Sequence, residues 1–252
     1  MDALKFGPIS SAVEVNVPTR DALFRALKDR LRAGTGFALA TLNLDHLTKL
    51  PHDPAFLRAY RAHDFVVADG RPVVWLSKIA GQPLELIPGS DLVVPLCETC
   101  AELGAPVALV GSSDEALAGA KEALTARVPG LKVCYTHAPP YGFDPTGNAA
   151  DQIFADLAES GARLCFIALG APKQEIFAAR GRTQAPDVGF ASIGAGLDFL
   201  SGHRCVPHGS CGCWRWSGFG VRCKAPHAWC HGMPSALPSC QVLQFRPCGS
   251  DS

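Results

Sequence analysis

The chain has 252 residues, 48% of them apolar, and its 23 basic residues balance 23 acidic ones. This length suffices for one large domain with a buried core, and the neutral balance excludes an electrostatic basis for nucleic-acid binding. The first residues, MDALKFGPIS, lack the pattern of a signal peptide, and no apolar run reaches the roughly 18 residues of a membrane span. We therefore expect a cytoplasmic protein with reduced thiols.

The first 202 residues alternate short apolar runs with amphipathic helical patterns. The predicted strands are 37–42, 65–68, 107–110, 131–135, 164–168 and 188–193. The predicted helices are 19–34, 53–61, 71–80, 90–103, 114–128, 149–160 and 172–180, with Thr19 and Ser90 as N-caps. Strands alternating with crossover helices indicate an α/β fold, Rossmann-like, with a mostly parallel sheet and helices on both faces.

Polar and glycine residues collect where the predicted strands end, which is where ligands bind in such folds. Thr41, Asn43 and Asp45 follow the first strand, and Asp69-Gly70 follows the second. Each pattern has an ordinary alternative, because Asp-Gly is a common turn and either Asn43 or Asp45 can cap a short helix. Gly111-Ser112-Ser113 is consistent with a simple helix cap or with a phosphate-binding turn.

The segment LGAPKQE, residues 169–175, is the most specific of these patterns. Gly170 and Pro172 fix a turn, and Lys173 enters the next helix close to its positive end. Lysine is unfavourable there unless an anionic ligand binds nearby. The histidines outside the C-terminal region show no metal-ligand spacing, so no metal is predicted there.

Together these motifs resemble the WecB/TagA/CpsF family of bacterial glycosyltransferases over about residues 10–202. The resemblance rests on TLNLDHL (41–47), VVADGRPVVW (66–75), GSDL (89–92), ALVGSS (108–113), PPYGFDP (139–145), ALGAPKQE (168–175) and GAGLDFLSG (194–202). It implies an inverting enzyme that moves a sugar from a UDP-sugar to a polyprenyl-diphosphate-linked sugar in cell-surface or exopolysaccharide synthesis. An N-acetylmannosaminyltransferase-like activity at the inner face of the plasma membrane, without a cofactor, would be typical. The resemblance leaves the oligomeric state open, with a homo-oligomer as one alternative.

The resemblance also implies roles for particular residues. Asp69 matches the general base, which would deprotonate the acceptor hydroxyl. Thr41, Asn43 and Gln174 match residues of the same pocket. The other implied substrate-binding residues are Gly70, Ser90, Asp91, Gly111, Ser112, Gly170, Pro172, Lys173, Glu175 and Gly194. No DxD-like motif is present, so we expect transfer without a metal ion. One departure is the stretch Glu85-Leu86-Ile87-Pro88, where many members carry an arginine.

The last 50 residues depart from the family entirely. Relatives continue with an arginine-rich helical appendage that meets the membrane, whereas residues 203–252 hold seven of the eleven cysteines and a single acidic residue. Shifting the reading frame recovers the family pattern: residues 205–209 permit Arg-Ala-Pro-Arg, 215–221 permit Leu-Glu-Trp-Leu-Trp-Arg, and 225–233 permit Pro-Ala-Arg-Leu-Val-Pro-Arg-Tyr. We therefore predict a frameshift between about Gly202 and Cys205, a core of residues 1–202, and an irregular, disordered tail.

Two other interpretations remain beside these predictions. A zinc-binding tail is the alternative to the frameshift, although its cysteines lack paired C-x2-C spacing. For the whole chain, the alternative to an active transferase is a nucleotide-sugar-binding protein with little turnover, because the arginine-rich segment is lost and with it the membrane contact of the relatives. A dinucleotide-dependent oxidoreductase is disfavoured, since no GxGxxG follows the first strand.

Overall fold

A computed structural model describes residues 4–197, apart from the side chain of Ile9. The predicted frameshift, tail and zinc site lie outside these residues. The strands are β1 (Leu4–Phe6), β2 (Val13–Val15), β3 (Phe37–Leu42), β4 (Phe65–Ala68), β5 (Val107–Gly111), β6 (Val133–His137), β7 (Leu164–Ala168) and β8 (Gly189–Ser192). The helices are α1 (Arg20–Ala33), α2 (Leu44–Lys49), α3 (Pro54–Arg61), α4 (Arg71–Ile79), α5 (Gly89–Leu103), α6 (Asp114–Arg127), α7 (Asn148–Glu159) and α8 (Lys173–Gln184).

Six strands form one parallel sheet in the order β4-β3-β8-β7-β5-β6, flanked by helices. This confirms the predicted α/β class and the parallel sheet. The chain runs from β3 to the edge strand β4 and then crosses to β5 on the other side of β7. Such a change of direction leaves a crevice beyond the carboxyl ends of the central strands, where ligands bind in open α/β sheets.

Two apolar clusters hold the helices on the sheet. One gathers the aromatic rings of Phe154, Phe177 and Phe190, which lie on α7, α8 and β8. The other joins the N-terminal β1–β2 hairpin to α3 and β4, and its largest buried side chains are Phe56 and Tyr60. Both clusters are contiguous and almost fully closed to solvent, so the sheet and its strand-end loops rest on a rigid base.

The structure corrects several predicted boundaries. The β1–β2 hairpin was not predicted, because three-residue strands are too short to show a period. Strand β6 begins two residues later than expected. Helix α5 begins at Gly89 with Pro88 as its N-cap, so the prediction that Ser90 caps this helix was wrong.

Helix α8 continues four residues past its predicted end, through Gly181. A Cβ atom at Gly181 would lie 2.5 Å from the ring of Phe190 on β8. The glycine is therefore a point of close helix–sheet packing. The predicted end at residue 180 lies directly before this glycine, and glycine near a helix end more commonly marks a stop.

Candidate active site

A cleft of about 260 Å³ opens at the carboxyl ends of β3, β4, β7 and β8. Its walls are Thr41, Asn43, Asp45, His46, Asp69, Pro88, Ser90, Gly170, Ala171, Gln174, Ile193, Gly194 and Ala195. Seven of the residues predicted for substrate binding or catalysis are brought together here, namely Thr41, Asn43, Asp69, Ser90, Gly170, Gln174 and Gly194. They come from strand ends, loops and helix starts that lie far apart in the chain and that the parallel sheet places at one edge.

Asp69 is the carboxylate of the cleft that lies directly at the end of a strand. Its backbone N–H donates to the carbonyl of Leu42 at 2.7 Å, and its Oδ2 accepts from the N–H of Gly89 at 3.4 Å. Burial raises the pKa of Asp69 above its ordinary value, and the charge of Asp91 adds to this rise. Hydrogen bonds from Gly89 and from the side chain of Thr41 lower the pKa and so oppose the shift. A partly desolvated carboxylate with a raised pKa is suited to accept a proton.

The start of α5 lies beside Asp69 in the cleft wall. A Cβ atom at Gly89 would lie 3.2 Å from the Cα of Ile193 and 3.4 Å from the Cγ2 of Thr41. Only a residue without a side chain lets the first turn of α5 approach the ends of β3 and β8 this closely. The close approach is what brings the Gly89 N–H to the carboxylate of Asp69.

Asn43 caps helix α2, since its Oδ1 accepts from the N–H of His46 at 3.0 Å. This decides between the two predicted caps in favour of Asn43 and against Asp45. The cap uses the carbonyl oxygen of the side chain and leaves its NH₂ group at the cleft. Asp45 instead pairs with Lys49 one turn along the helix, at 2.6 Å.

His46 lines the cleft, although the sequence did not identify it as a site residue. Its Nδ1 lies 3.0 Å from the hydroxyl of Tyr60. Burial lowers the pKa of His46 to about 4, which the charge of Asp45 opposes. The ring is therefore neutral at physiological pH. The sequence did contain a signal that His46 could reach the site. His46 is the third residue after the helix cap Asn43, and a side chain at that position points back toward the end of the strand.

Gln174 closes the cleft on the side of α8. Its Oε1 accepts from the N–H of Gly194 at 3.1 Å, and its Nε2 donates to Oε1 of Glu175 at 2.7 Å. The side chain is almost fully buried, at 2% exposure. Two opposed hydrogen bonds thus hold its amide in one orientation.

The remaining predicted residues do not line the cleft. They are Gly70, Asp91, Gly111, Ser112, Pro172, Lys173 and Glu175. Gly111 and Ser112 end β5, beside β7, where the Ser112 N–H donates to the carbonyl of Ala168 at 3.0 Å. Lys173 lies near Asp144, since its charge contributes to the lowered pKa of that carboxyl. Glu175 lies wholly beneath the surface.

A larger groove of about 580 Å³ lies between α1 and α5. Its polar side chains are solvated, and two of them, Lys28 and Glu102, pair at 2.7 Å. None of its lining residues follows a strand of the sheet. Because ligand sites in this architecture lie at strand ends, the smaller cleft around Asp69 is the better candidate.

Comparison with known protein families shows which family the chain belongs to. The sequence model described as "Glycosyl transferase WecG/TagA/CpsF family" matches residues 10–206. The chain belongs to this family. It is therefore a glycosyltransferase of cell-surface polysaccharide synthesis, a family whose members in general use a nucleotide-sugar donor and a lipid-linked acceptor. The resemblance predicted from the motifs is confirmed.

In this WecG/TagA/CpsF protein, the wall of the cleft lacks cationic side chains among the described residues. It contains two carboxylates, Asp45 and Asp69, and neither lysine nor arginine. Helices α4 and α8 begin after Gly70 and Pro172, and neither N-terminus has a side-chain cap. The second residue of α4 is Pro72, which has no N–H, and the N–H of Gln174 donates to the carbonyl of Gly170 at 3.1 Å, so each helix offers an anion only part of its first turn.

Two kinds of feature are absent from residues 4–197. No described helix is both long and apolar enough to cross a bilayer. Likewise, no three His, Cys, Asp or Glu side chains in this part of the chain are arranged to hold a metal ion.

Proposed function

We propose that this protein is an inverting glycosyltransferase that moves a sugar from a UDP-sugar to a polyprenyl-diphosphate-linked sugar, at the inner face of the plasma membrane. The observation that carries the proposal is the half-buried carboxylate of Asp69, which Gly89 and Thr41 contact at the strand ends of a sheet in this family. Inversion requires one group to deprotonate the acceptor hydroxyl while the nucleotide leaves from the opposite face.

Asp69 takes the role of general base in this proposal. The pKa raised by burial increases its affinity for the incoming proton, while the Gly89 N–H holds the carboxylate in place. The departing UDP carries negative charge on its diphosphate. The N-termini of α4 and α8 have no side-chain caps, so the backbone N–H groups of their first turns that are not already bonded, such as that of Lys173, could donate to that charge.

The donor sugar is proposed only at the level of its class. An N-acetylmannosaminyltransferase-like specificity is the first candidate, with UDP-glucose as the second. Incubating the purified protein with each UDP-sugar and a polyprenyl-diphosphate-linked acceptor, and measuring UDP release, tests both. The proposal predicts release that depends on the acceptor; release without acceptor would indicate hydrolysis instead.

A second function is favoured by the charge of the cleft wall. Because no lysine or arginine of the described residues lines the cleft, the diphosphate meets backbone dipoles and two carboxylates there. If the arginine-rich segment of the relatives supplies the missing cations, this chain binds UDP-sugar but turns it over slowly. Calorimetry with UDP-sugar alone, beside the UDP-release assay, separates a binding protein from an enzyme.

A further inference from the structure

Glu175 is a buried carboxyl group that the proposed mechanism does not use. Its exposure is 0%, and it lies in the first turn of α8, directly after Gln174. Its Oε1 accepts from Gln174, whereas its Oε2 is buried without a hydrogen-bond partner among the described residues. A buried carboxyl is costly for the fold, so a residue of this kind calls for a reason.

The usual structural reason does not apply at this position. A glutamate in the third residue of a helix commonly bonds back to the N–H of the N-cap residue. Here the N-cap is Pro172, which has no N–H. Besides a hydrogen bond from its own backbone, the carboxyl contacts the side chain of Gln174, which leads to the cleft.

The surroundings of Glu175 include residues of α3, of α2 and of the loop after β4. On α3 lies the buried Tyr60, whose pKa is raised by burial and further by the charges of Glu175 and Asp69. On α2 lie Asp45 and Lys49, whose charges act on Glu175 in opposite directions. The neutral His46 of α2 contacts Tyr60, and Asp69 follows β4. None of these groups offers Oε2 a hydrogen bond, so the only side-chain partner of the carboxyl within the described residues is Gln174.

The Gln174 amide is the part of this arrangement that a substrate meets. Its Oε1 is occupied by the Gly194 N–H and one hydrogen of its Nε2 by Glu175. The second hydrogen of Nε2 makes no bond to the described residues, and Gln174 lines the cleft. If the amide were flipped, its NH₂ group would face the N–H of Gly194, which is donor against donor. Its oxygen would then face the carboxyl group of Glu175, which is acceptor against acceptor.

We propose that Glu175 is a positioning residue, which fixes the Gln174 amide so that its free N–H is presented to an oxygen of the nucleotide-sugar in the cleft. The inference rests on the proposed function for the identity of the ligand. The orientation of the amide does not depend on the proposed function, because it follows from the two hydrogen bonds.

Side-chain amide NMR of the ¹⁵N-labelled full chain tests the orientation without any ligand. The Gln174 signal is assigned by its loss in Gln174→Ala and followed with pH. Because burial raises the pKa of Glu175 to about 7, the signal should titrate with a midpoint near that value. The titration should vanish in Glu175→Gln, which keeps an acceptor. Gln152, whose amide donates to Asp156 on the exposed face of α7, is an internal control.

A double-mutant cycle on UDP-sugar binding tests the action through Gln174. Gln174→Ala and Glu175→Leu should each weaken binding about tenfold, the loss of one charge-assisted hydrogen bond. The double variant should bind no worse than Gln174→Ala, because Glu175 acts only through that amide. Glu175→Gln should bind within about threefold of the wild type.

Losses that add in the double variant, or a Gln174 signal that does not respond to Glu175, overturn the inference. If Glu175→Leu does not fold, Glu175→Gln and the NMR titration still decide the question. A wild type that binds no UDP-sugar, but whose Gln174 signal titrates as expected, contradicts the proposed function and supports the fixed amide.

Discussion

At the scale of residues, the cleft combines a carboxylate that binds protons more readily than usual with side chains that stay neutral. Burial raises the pKa of Asp69 and lowers that of His46 to about 4. The two groups are therefore an ionisable base and an uncharged hydrogen-bonding neighbour. Environments that push the pKa values of neighbouring groups in different directions assign different tasks to them.

The first prediction concerns Asp69. Asp69→Asn keeps the size and the acceptor oxygen for Gly89 but removes the proton-accepting charge. We expect kcat for acceptor-dependent UDP release to fall about 10²- to 10⁴-fold, with UDP-sugar affinity changed by less than about threefold. Asp45→Asn, at the cleft wall but paired with Lys49, is the matched control. Equal losses in the two variants would contradict the role of Asp69.

The second prediction uses the pH dependence of stability. The pKa of Glu175 is about 7 in the folded protein against 4.5 ordinarily, so between these values the unfolded chain binds fewer protons. The contribution of Glu175 to the free energy of unfolding therefore falls by about 3 kcal/mol as the pH rises from 4.5 to about 7. Glu175→Gln removes the loss.

Urea unfolding of both proteins at pH 5 and pH 8 measures this difference. We expect the stability of the wild type relative to Glu175→Gln to fall by about 2 to 3 kcal/mol between the two pH values. Glu102→Gln is the control: the hydrogen bond to Lys28 lowers the pKa of Glu102 below its ordinary 4.5, so the stability difference of this variant should stay the same between pH 5 and pH 8. A difference that does not depend on pH would show that Glu175 is not a buried acid.

At the scale of elements, two glycines determine how closely helices approach the sheet. Gly89 lets α5 reach the ends of β3 and β8, and Gly181 lets α8 lie on Phe190. The strands themselves were predictable because their apolar runs are continuous, as expected for strands covered on both faces. The helix ends were harder to predict, because a glycine that stops a helix and a glycine that packs a helix against an aromatic ring look alike in the sequence.

The third prediction follows from this packing. Gly89→Ala places a methyl group 3.2 Å from the backbone of Ile193, so α5 must shift. We expect a stability loss of about 1 to 3 kcal/mol and weaker acceptor-dependent turnover, because the N–H that holds Asp69 moves with the helix. Gly147→Ala, where the new atom meets its neighbours at 3.6 Å or more, serves as the control and should cost less.

At the scale of the whole molecule, the sequence motifs were sufficient to predict the α/β class, the family and half of the cleft wall. They could not show which strand-end residues meet, because that depends on strand order. Gly111 and Ser112 carry the same kind of signal as Thr41 and Asn43, yet β5 lies outside β7 and away from the cleft. Glu175 was predicted as a substrate contact from its motif, whereas its burial puts it behind Gln174.

The fourth prediction concerns the last 50 residues, which lie outside the described part. We expect the nucleotide sequence around codons 200–206 to show a frame change, and a frame-corrected chain to restore the arginine-rich segment. If those arginines bind the diphosphate, the corrected chain should turn over faster than this one with UDP-sugar affinity at least as high. Stoichiometric zinc in the purified protein would favour the zinc-binding tail instead.

The most direct test of the central claim is sugar transfer itself. A labelled UDP-sugar and a polyprenyl-diphosphate-linked acceptor are incubated with the frame-corrected chain, with and without Asp69→Asn, and the product is analysed for its anomeric configuration. We expect a lipid-linked product with inverted configuration whose formation depends on Asp69. A product with retained configuration, or one formed equally well by Asp69→Asn, would contradict the account.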